Sequence, residues 1–445
     1  MKAKFKSISA LICAVICALS FTACSGNELA GESTLLGAPK NVERVEYSAL
    51  ITDEYKAFKN SVETFAADFA AYSYADYKKQ DNFTVSPISV YMALSLAAEC
   101  AAGDTRGEIL NALGVTHDQL KTHYSTLYRS LEVEHNYVDQ ITSMLDLSNS
   151  IWVNEGTHVK QPCIDSLSDD YYAYSYSADF EHNNVEANKA VRNFVSRKTK
   201  GLIDKDFNLS EETLFALINT VYLKTIWNSR GRDLQFASDS YSFTAKDGSV
   251  KNTKLLQGYY YGGRAVEFDT FKTFYTSTYD EYKIKFILPN DGYTVDQVFT
   301  AQNISAVNSI TNYGAYDETE NVRYQTRVLF PEYKCKYDEN IVKILQDKFG
   351  IDLLFKDHIR YSNACDFSTL SDRSCYCKRI QHVTDLTVNK KGIEGAAVTV
   401  IEMPGDLAPA PMVTVKEDFI VNKAFGFIIT DRYDTTLFSG VVNNI

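Results

Sequence analysis

The sequence predicts an α+β protein. Segments with helical spacing concentrate in the first half, strand patterns dominate from Phe243 onward, and the two kinds do not alternate as in a doubly wound sheet. Thirty Tyr and 25 Phe against only eight Pro argue for an ordered, sheet-containing body. Residues 50–445 contain no Pro/Ser/Gly linker and no repeat of roughly 20–50 residues, so 49–445 is expected to be one large domain.

Within residues 49–76, Phe58, Val62, Phe65, Phe69 and Tyr72 fall on one face, which predicts an amphipathic helix packed on the body. Asn82–Val85 reads as a short strand. Ser86 then acts as cap and Pro87 as the first residue of a second helix that runs through Tyr91–Ala98 to a stop at Gly103, and Asp104 begins a third. Leu147–Val153 alternates like a strand, Val185–Thr199 returns to helical spacing, and Leu214–Lys224 is an apolar run of strand type. Later strands are expected at Ala265–Phe268, Lys283–Leu288, Arg323–Phe330, Leu386–Val388, Val413–Val415, Phe425–Thr430 and Thr436–Val442, with a helix at Ile341–Phe349.

The first 23 residues form a targeting segment: three lysines precede an apolar run from Ile8 to Phe21. Phe21-Thr22-Ala23-Cys24 then resembles a bacterial lipobox, which implies lipidation of Cys24 and an extracellular, membrane-anchored protein. Phe21 stands where Leu is usual, and a plain signal peptide cleaved nearby is the alternative. Residues 24–48 are polar and read as a flexible tether. Removing Lys2, Lys4 and Lys6 takes the formal charge from −12 to −15, which excludes nucleic acid as a natural partner because phosphate binding needs clustered cations.

Of nine Cys, six remain beyond Cys24: Cys100, Cys163, Cys335, Cys365, Cys375 and Cys377. Cys375-x-Cys377 has the wrong spacing for a zinc or thioredoxin-type site, and His158, His182 and His358 show no ligand spacing, so neither metal nor cofactor is expected. Buried or merely tolerated thiols, or a disulfide involving the Cys365–Cys377 region, are the two readings.

The most informative stretch is Leu386 to Thr399, LTVNKKGIEGAAVT. It begins as a strand, passes through the small residues Gly392, Gly395, Ala396 and Ala397, and continues into β-branched Val398 and Thr399. Small side chains suit a backbone that slides into a tight space, and β-branched ones suit a place in a sheet. A segment with both is a candidate for moving between two states.

Seven pieces in order resemble the serpin family over nearly all of residues 50–445. They are Ser86-Pro87-Ile88-Ser89 with Ala93-Leu94 and Gly103-Asp104-Thr105; Asn193-Phe194-Val195 with Thr199-Lys200-Gly201; Leu217 to Lys224 with Trp227; Phe330-Pro331-Glu332-Tyr333; His382 ten residues before Gly392; Asn422 to Phe427; and Leu437 to Asn443. Tyr333 stands where Phe is usual and Ala424 where Pro is usual. The resemblance implies helices around a large mixed sheet plus smaller sheets, with an exposed reactive loop at about 390–418. It also implies a monomeric suicide inhibitor: a serine protease cuts the loop, and the loop inserts into the main sheet while the acyl-enzyme persists. A non-inhibitory serpin serving as a binding or structural protein is the alternative.

On that resemblance, Gly392, Ile393, Glu394, Gly395, Ala396, Ala397, Val398 and Thr399 form the hinge. Ile393, Gly395, Ala397 and Thr399 would face inward once inserted. Ile393 departs from the usual Thr or Ser and is expected to slow insertion, and Lys390 replaces a usual acidic residue, leaving a salt bridge at the sheet top missing or reversed. Counting 16 residues from Lys390 gives Asp406-Leu407 as the reactive bond. Leu407-Ala408 and Met412-Val413 are alternatives suited to an elastase-like pocket. Ser86, Ser89, Asn219 and His382 correspond to the buried shutter, and Trp227 to the breach. Read instead as a catalytic set, these four lack both a Gly-x-Ser-x-Gly elbow and a carboxylate, so an enzyme is not expected.

Overall fold

The computed structural model describes residues 33–40, 42–77, 81–131, 133–137, 140–227, 233–261, 263–311, 313–314, 316–317, 322–393 and 413–445. Its dominant element is an eight-stranded mixed sheet in the order Thr34–Gly37, Ala173–Ala178, Gln140–Asn154, Phe215–Ile226, Gly392–Ile393, Gln381–Asn389, Tyr333–Asn340, with Val133–Tyr137 pairing to Gln140–Asn154 off that path. Gln140–Asn154 and Ala173–Ala178 run parallel; the other neighbours are antiparallel.

A six-stranded sheet stacks its fully buried strands Phe425–Thr430 and Thr436–Val442 in the core. Near-continuous apolar sequence such as FGFIIT is what a strand covered on both faces requires. A four-stranded sheet pairs Val322–Phe330 in parallel with Val413–Ile420, the strand that receives the chain after residue 412.

Helix Asp53–Asp76 starts at Thr52, whose hydroxyl accepts from the Tyr55 amide, and buries Phe58, Val62, Phe65 and Phe69. Helix Pro87–Cys100 is buried almost all round, as its run of Ala, Leu, Met and Val dictates, and lies beneath the main sheet. Helix Asn184–Lys198 covers the opposite face, where Phe194 meets Trp152 and Tyr176 at ring separations of 5.9 and 5.8 Å. Among the described residues no helix is long and apolar enough to cross a membrane.

Three expectations need correction. The stretch read as a flexible tether, 24–48, contains Thr34–Gly37, which pairs with Ala173–Ala178 as an edge strand, and runs into Tyr47–Leu50, a short helix. Lys40–Asp169 at 2.7 Å and Arg129 donating to the Glu43 carbonyl at 2.6 Å hold the segment down. Unpaired strand edges attract polar backbone, so even a polar sequence docks there. Gly103 does not stop the second helix, which ends at Cys100; it opens the third, Gly103–Leu113. Ser86 occupies the cap position without capping, because its hydroxyl is committed to the Leu437 carbonyl at 2.8 Å. The targeting segment and Cys24 lie outside the described residues.

Candidate functional site

Two strands of the main sheet, Phe215–Ile226 and Gln381–Asn389, do not pair with each other. The only described strand between them is Gly392–Ile393, which matches Gly392 to Ile226 and Ile393 to Thr225 on one side, and Asn389 and Val388 on the other. Below that short strand a cavity of about 670 Å³ follows the seam, lined by Phe215 to Val221, Gln381 to Asp385, and Ser86, Ser89 and Val90 of the buried helix.

The seam is closed at one end by the chain reversal after Asn389. Gly392 adopts φ +153°, and a Cβ there would stand 2.2 Å from the Thr225 carbonyl oxygen, so only glycine lets the chain cross so close to its neighbour. Ile393 follows, fully buried against the core. Trp227 donates its indole N–H to the Asn389 carbonyl at 2.9 Å and packs 5.8 Å from Phe330. The Lys390 amide donates to Glu332 at 2.7 Å, its carbonyl accepts from Leu234 at 2.7 Å, and its ammonium meets Asp233 at 3.0 Å. Lys390 thus has an ion pair with Asp233 at the sheet top, and being half exposed it contributes no more than ~1 kcal/mol.

Halfway along the seam, the Ser86 amide donates to Nε2 of His382 at 3.0 Å, so the ring is neutral with its proton on Nδ1. Burial, with the rings of Phe69 and Tyr337 5.8 and 5.9 Å away, lowers the His382 pKa to about 3. Across the cavity, Asn219 donates to Asn149, which donates to Tyr124 at 2.8 Å, while the buried Oδ1 of Asn219 has no partner.

The structure therefore joins Ser86 to His382 directly and sets Ser89 and Asn219 on the wall of the same cavity, without contact between Asn219 and His382. Asn149, Glu332 and Asp233 were not anticipated from sequence. The first is a polar residue in a strand of alternating pattern, and the other two lie outside the hinge. Glu394 to Thr399 and Asp406, Leu407, Ala408 and Met412 lie outside the described residues; Val413 is the first residue of the strand Val413–Ile420. All six described cysteines are free thiols, five of them buried and Cys377 half-buried. Among the described residues no group of His, Cys, Asp or Glu is arranged to hold a metal ion.

Among the described residues the main sheet thus has a seam between two strands, headed by a glycine crossing and a two-residue strand. The chain belongs to the serpin family: the model of "Serpin (serine protease inhibitor)" matches residues 60–445. Among curated proteins it is 26% identical to Iripin-2 of Ixodes ricinus over 389 residues, covering 82% of this chain and 88% of that one. It is also 26% identical to neuroserpin of Homo sapiens over 378 residues, covering 82% and 86%. The fold matches the native-state structure of tengpin, a thermophilic serpin, with TM-score 0.69 at 22% identity over 93% of this chain and all of that one. It matches Serpin48 of the insect Tenebrio molitor with TM-score 0.70 at 20% identity, over 89% and 99%. The family's general function is protease inhibition.

Proposed function

We propose that this chain is a suicide-substrate inhibitor of an extracellular serine protease, anchored to a bacterial surface through a lipid on Cys24, and not an enzyme itself. The observation that carries the reading is the seating of Gly392–Ile393 at the head of an otherwise unpaired seam. Continuing that register, each residue added after Ile393 faces one residue earlier on both flanking strands. Gly395 then meets Leu223 and Leu386, Ala397 meets Val221 and Thr384, and Thr399 meets Asn219 and His382. Directly opposed residues share a face, so the small side chains fall on the buried side that Ile393 already occupies. The Thr399 hydroxyl would reach Asn219 Oδ1, which has no partner among the described residues.

The ten residues Phe215–Lys224 left unpaired by Gly392–Ile393 would accept Glu394 to Met403. The reactive bond must then lie beyond Met403 and before the paired strand Val413–Ile420. Because Val413 is already held in that strand, Met412-Val413 is the weakest substrate, and Asp406-Leu407 and Leu407-Ala408 are favoured. Leu407-Ala408 suits an elastase-like protease. Cleavage acylates the protease serine; the freed segment adds to the sheet and carries the acyl-enzyme away before water hydrolyses the ester.

Incubation with an elastase-like protease is expected to give a complex that survives boiling in SDS, and sequencing of the released peptide to place the bond between Asp406 and Ala408. Cleaved inhibitor alone, with no complex at any ratio, refutes the reading. A non-inhibitory surface protein is favoured by one observation, the bulky Ile393; it predicts cleavage with no rise in melting temperature.

A further inference from the structure

A line of hydrogen bonds runs from the core to the seam and decides which end of the Asn219 amide the cavity meets. Asn149 and Asn219 are directly opposed across the strands Gln140–Asn154 and Phe215–Ile226, so both side chains lie on the face that carries Leu147 and Ile151 into the core. Asn149 is fully buried. Its Nδ2 donates to the Tyr124 hydroxyl at 2.8 Å and to the Tyr171 carbonyl at 3.3 Å. Its Oδ1 accepts from Nδ2 of Asn219.

The far end of this line fixes the direction of the rest. A carbonyl oxygen only accepts, so the end of the Asn149 amide that faces Tyr171 must be its NH2 group. Oδ1 then faces Asn219, which must turn its own NH2 group toward Asn149 and leave its Oδ1 for the cavity wall. That Oδ1 is buried and has no partner among the described residues. The Tyr171 carbonyl is itself held firmly, because Tyr171 is fully buried and donates its hydroxyl to Glu99 at 3.2 Å. The next residue, Tyr172, leads into the strand Ala173–Ala178 at φ +53°, a strained value for a bulky side chain. Its ring stacks 4.6 Å from Tyr128 and its hydroxyl shares a hydrogen bond of 2.9 Å with Ser125, both on helix His117–Leu131. The helix that supplies Tyr124 therefore also holds the turn that presents the carbonyl.

We infer that Asn149 is a positioning residue for strand uptake: it holds the Asn219 oxygen toward the seam, so the incoming strand must bring a hydrogen-bond donor opposite Asn219. This role rests on the strand-insertion reading, whose register places Thr399 there. A threonine hydroxyl can donate. A residue that only accepts would set two oxygens face to face, and one with no polar group would leave a buried acceptor unpaired. Asn149 thereby selects the chemistry of a residue two strands away in that register.

The test adds peptides of the sequence Glu394 to Met403 to the intact chain and follows Tm. Position 399 is Thr, Val, which lacks the hydroxyl, or O-methylserine, an isomer of threonine whose oxygen only accepts. The Thr peptide is expected to raise Tm, and the other two to need at least about tenfold more peptide for the same rise. In Asn149→Leu the Asn219 amide is free to turn its N–H to the seam, and the O-methylserine peptide is expected to match the Thr peptide. An O-methylserine peptide as effective as Thr on the unaltered chain overturns the inference. So does an Asn149→Leu chain of lower Tm that still ranks the peptides as before, since Asn149 is then structural only. No response to any peptide refutes strand uptake, and the polarity is then decided in the resting chain by Asn219→Asp. With Asn149 Oδ1 opposite, the new carboxylate finds no donor and its pKa rises, so the loss of Tm against the unaltered chain is expected to be largest at pH 7.5 and to vanish below about pH 4. A loss that grows toward low pH means that Asn149 presents its N–H to residue 219, and overturns the inference.

Discussion

Replacing Gly392 by alanine tests whether the hinge is seated at rest. The added Cβ would lie 2.2 Å from the Thr225 carbonyl oxygen and 3.2 Å from the Ile226 Cα, both backbone atoms that no rotamer change can move. Alanine at φ +153° also sits in a region that is essentially glycine's, at a strain of order 1–3 kcal/mol before the clash is counted. The cheaper escape is to release the two-residue strand, which returns the fully buried Ile393 to water at ~1.5–3 kcal/mol. The native form is therefore expected to lose ~1.5–3 kcal/mol, which for a chain of this length lowers Tm by about 2–3 °C. Hydrogen exchange should report where: peptides covering Tyr222–Trp227 and Leu386–Ile393 should exchange faster in Gly392→Ala, with peptides from Phe425–Thr430 unchanged. Unchanged exchange beside the seam, with an unchanged Tm, would refute the seated hinge and the register built on it.

Three further outcomes follow from the same geometry. Thr399→Arg sets a charge between Asn219 and His382 in the extended register, and burying it unpaired costs several kcal/mol; on SDS gels the variant should run as cleaved protein without covalent complex, and an undiminished complex band argues against the register. His382 has a folded pKa of about 3, below the 6.5 of an exposed imidazole, so the unfolded chain binds more protons between those values and stability falls as pH drops through that window, by up to ~5 kcal/mol; the fall in Tm from pH 7 to 4 should be shallower in His382→Gln. Asp431 is raised to about 6 by burial, so the native state binds more protons between 3.8 and 6 and stability falls as pH rises there. Its Oδ1 accepts from the Tyr433 and Thr435 amides, which an Asn carbonyl can keep, so Asp431→Asn should raise Tm at pH 7.5 by an amount that vanishes below pH 4; a lower Tm at pH 7.5 counts against this account.

Much of the element pattern was legible where burial is one-sided or complete. Phe58, Val62, Phe65 and Phe69 mark a helix, and FGFIIT marks a strand without help from neighbours. Less legible were strands whose identity depends on pairing. Gln140–Asn154 was anticipated only in its second half, Leu147–Val153, because its first half, QITSMLD, becomes strand through its partners. Ala173–Ala178, AYSYSA, and the edge strand Thr34–Gly37 were missed for the same reason. At the site, Ser86, His382, Trp227 and Gly392 were singled out from sequence as shutter, breach and hinge residues, and the structure joins Ser86 to His382 and Trp227 to Asn389 near Gly392. The ion pair of Lys390 with Asp233 was not legible, since its partner is distant in sequence.

The sequence by itself determined the class: ordered motifs over nearly the whole domain, and a small-residue segment ahead of β-branched residues, reflect local conformational needs that each residue carries with it. Only the tertiary structure decided that Phe215–Ile226 and Gln381–Asn389 stand apart, that Ile393 is already buried between them, and that Asn219 keeps an unpartnered oxygen facing the cavity. The physical reason is that strand separation and polar satisfaction are properties of pairs. They arise when residues far apart in the chain meet, and the seam that the described residues leave between these strands belongs to neither strand alone.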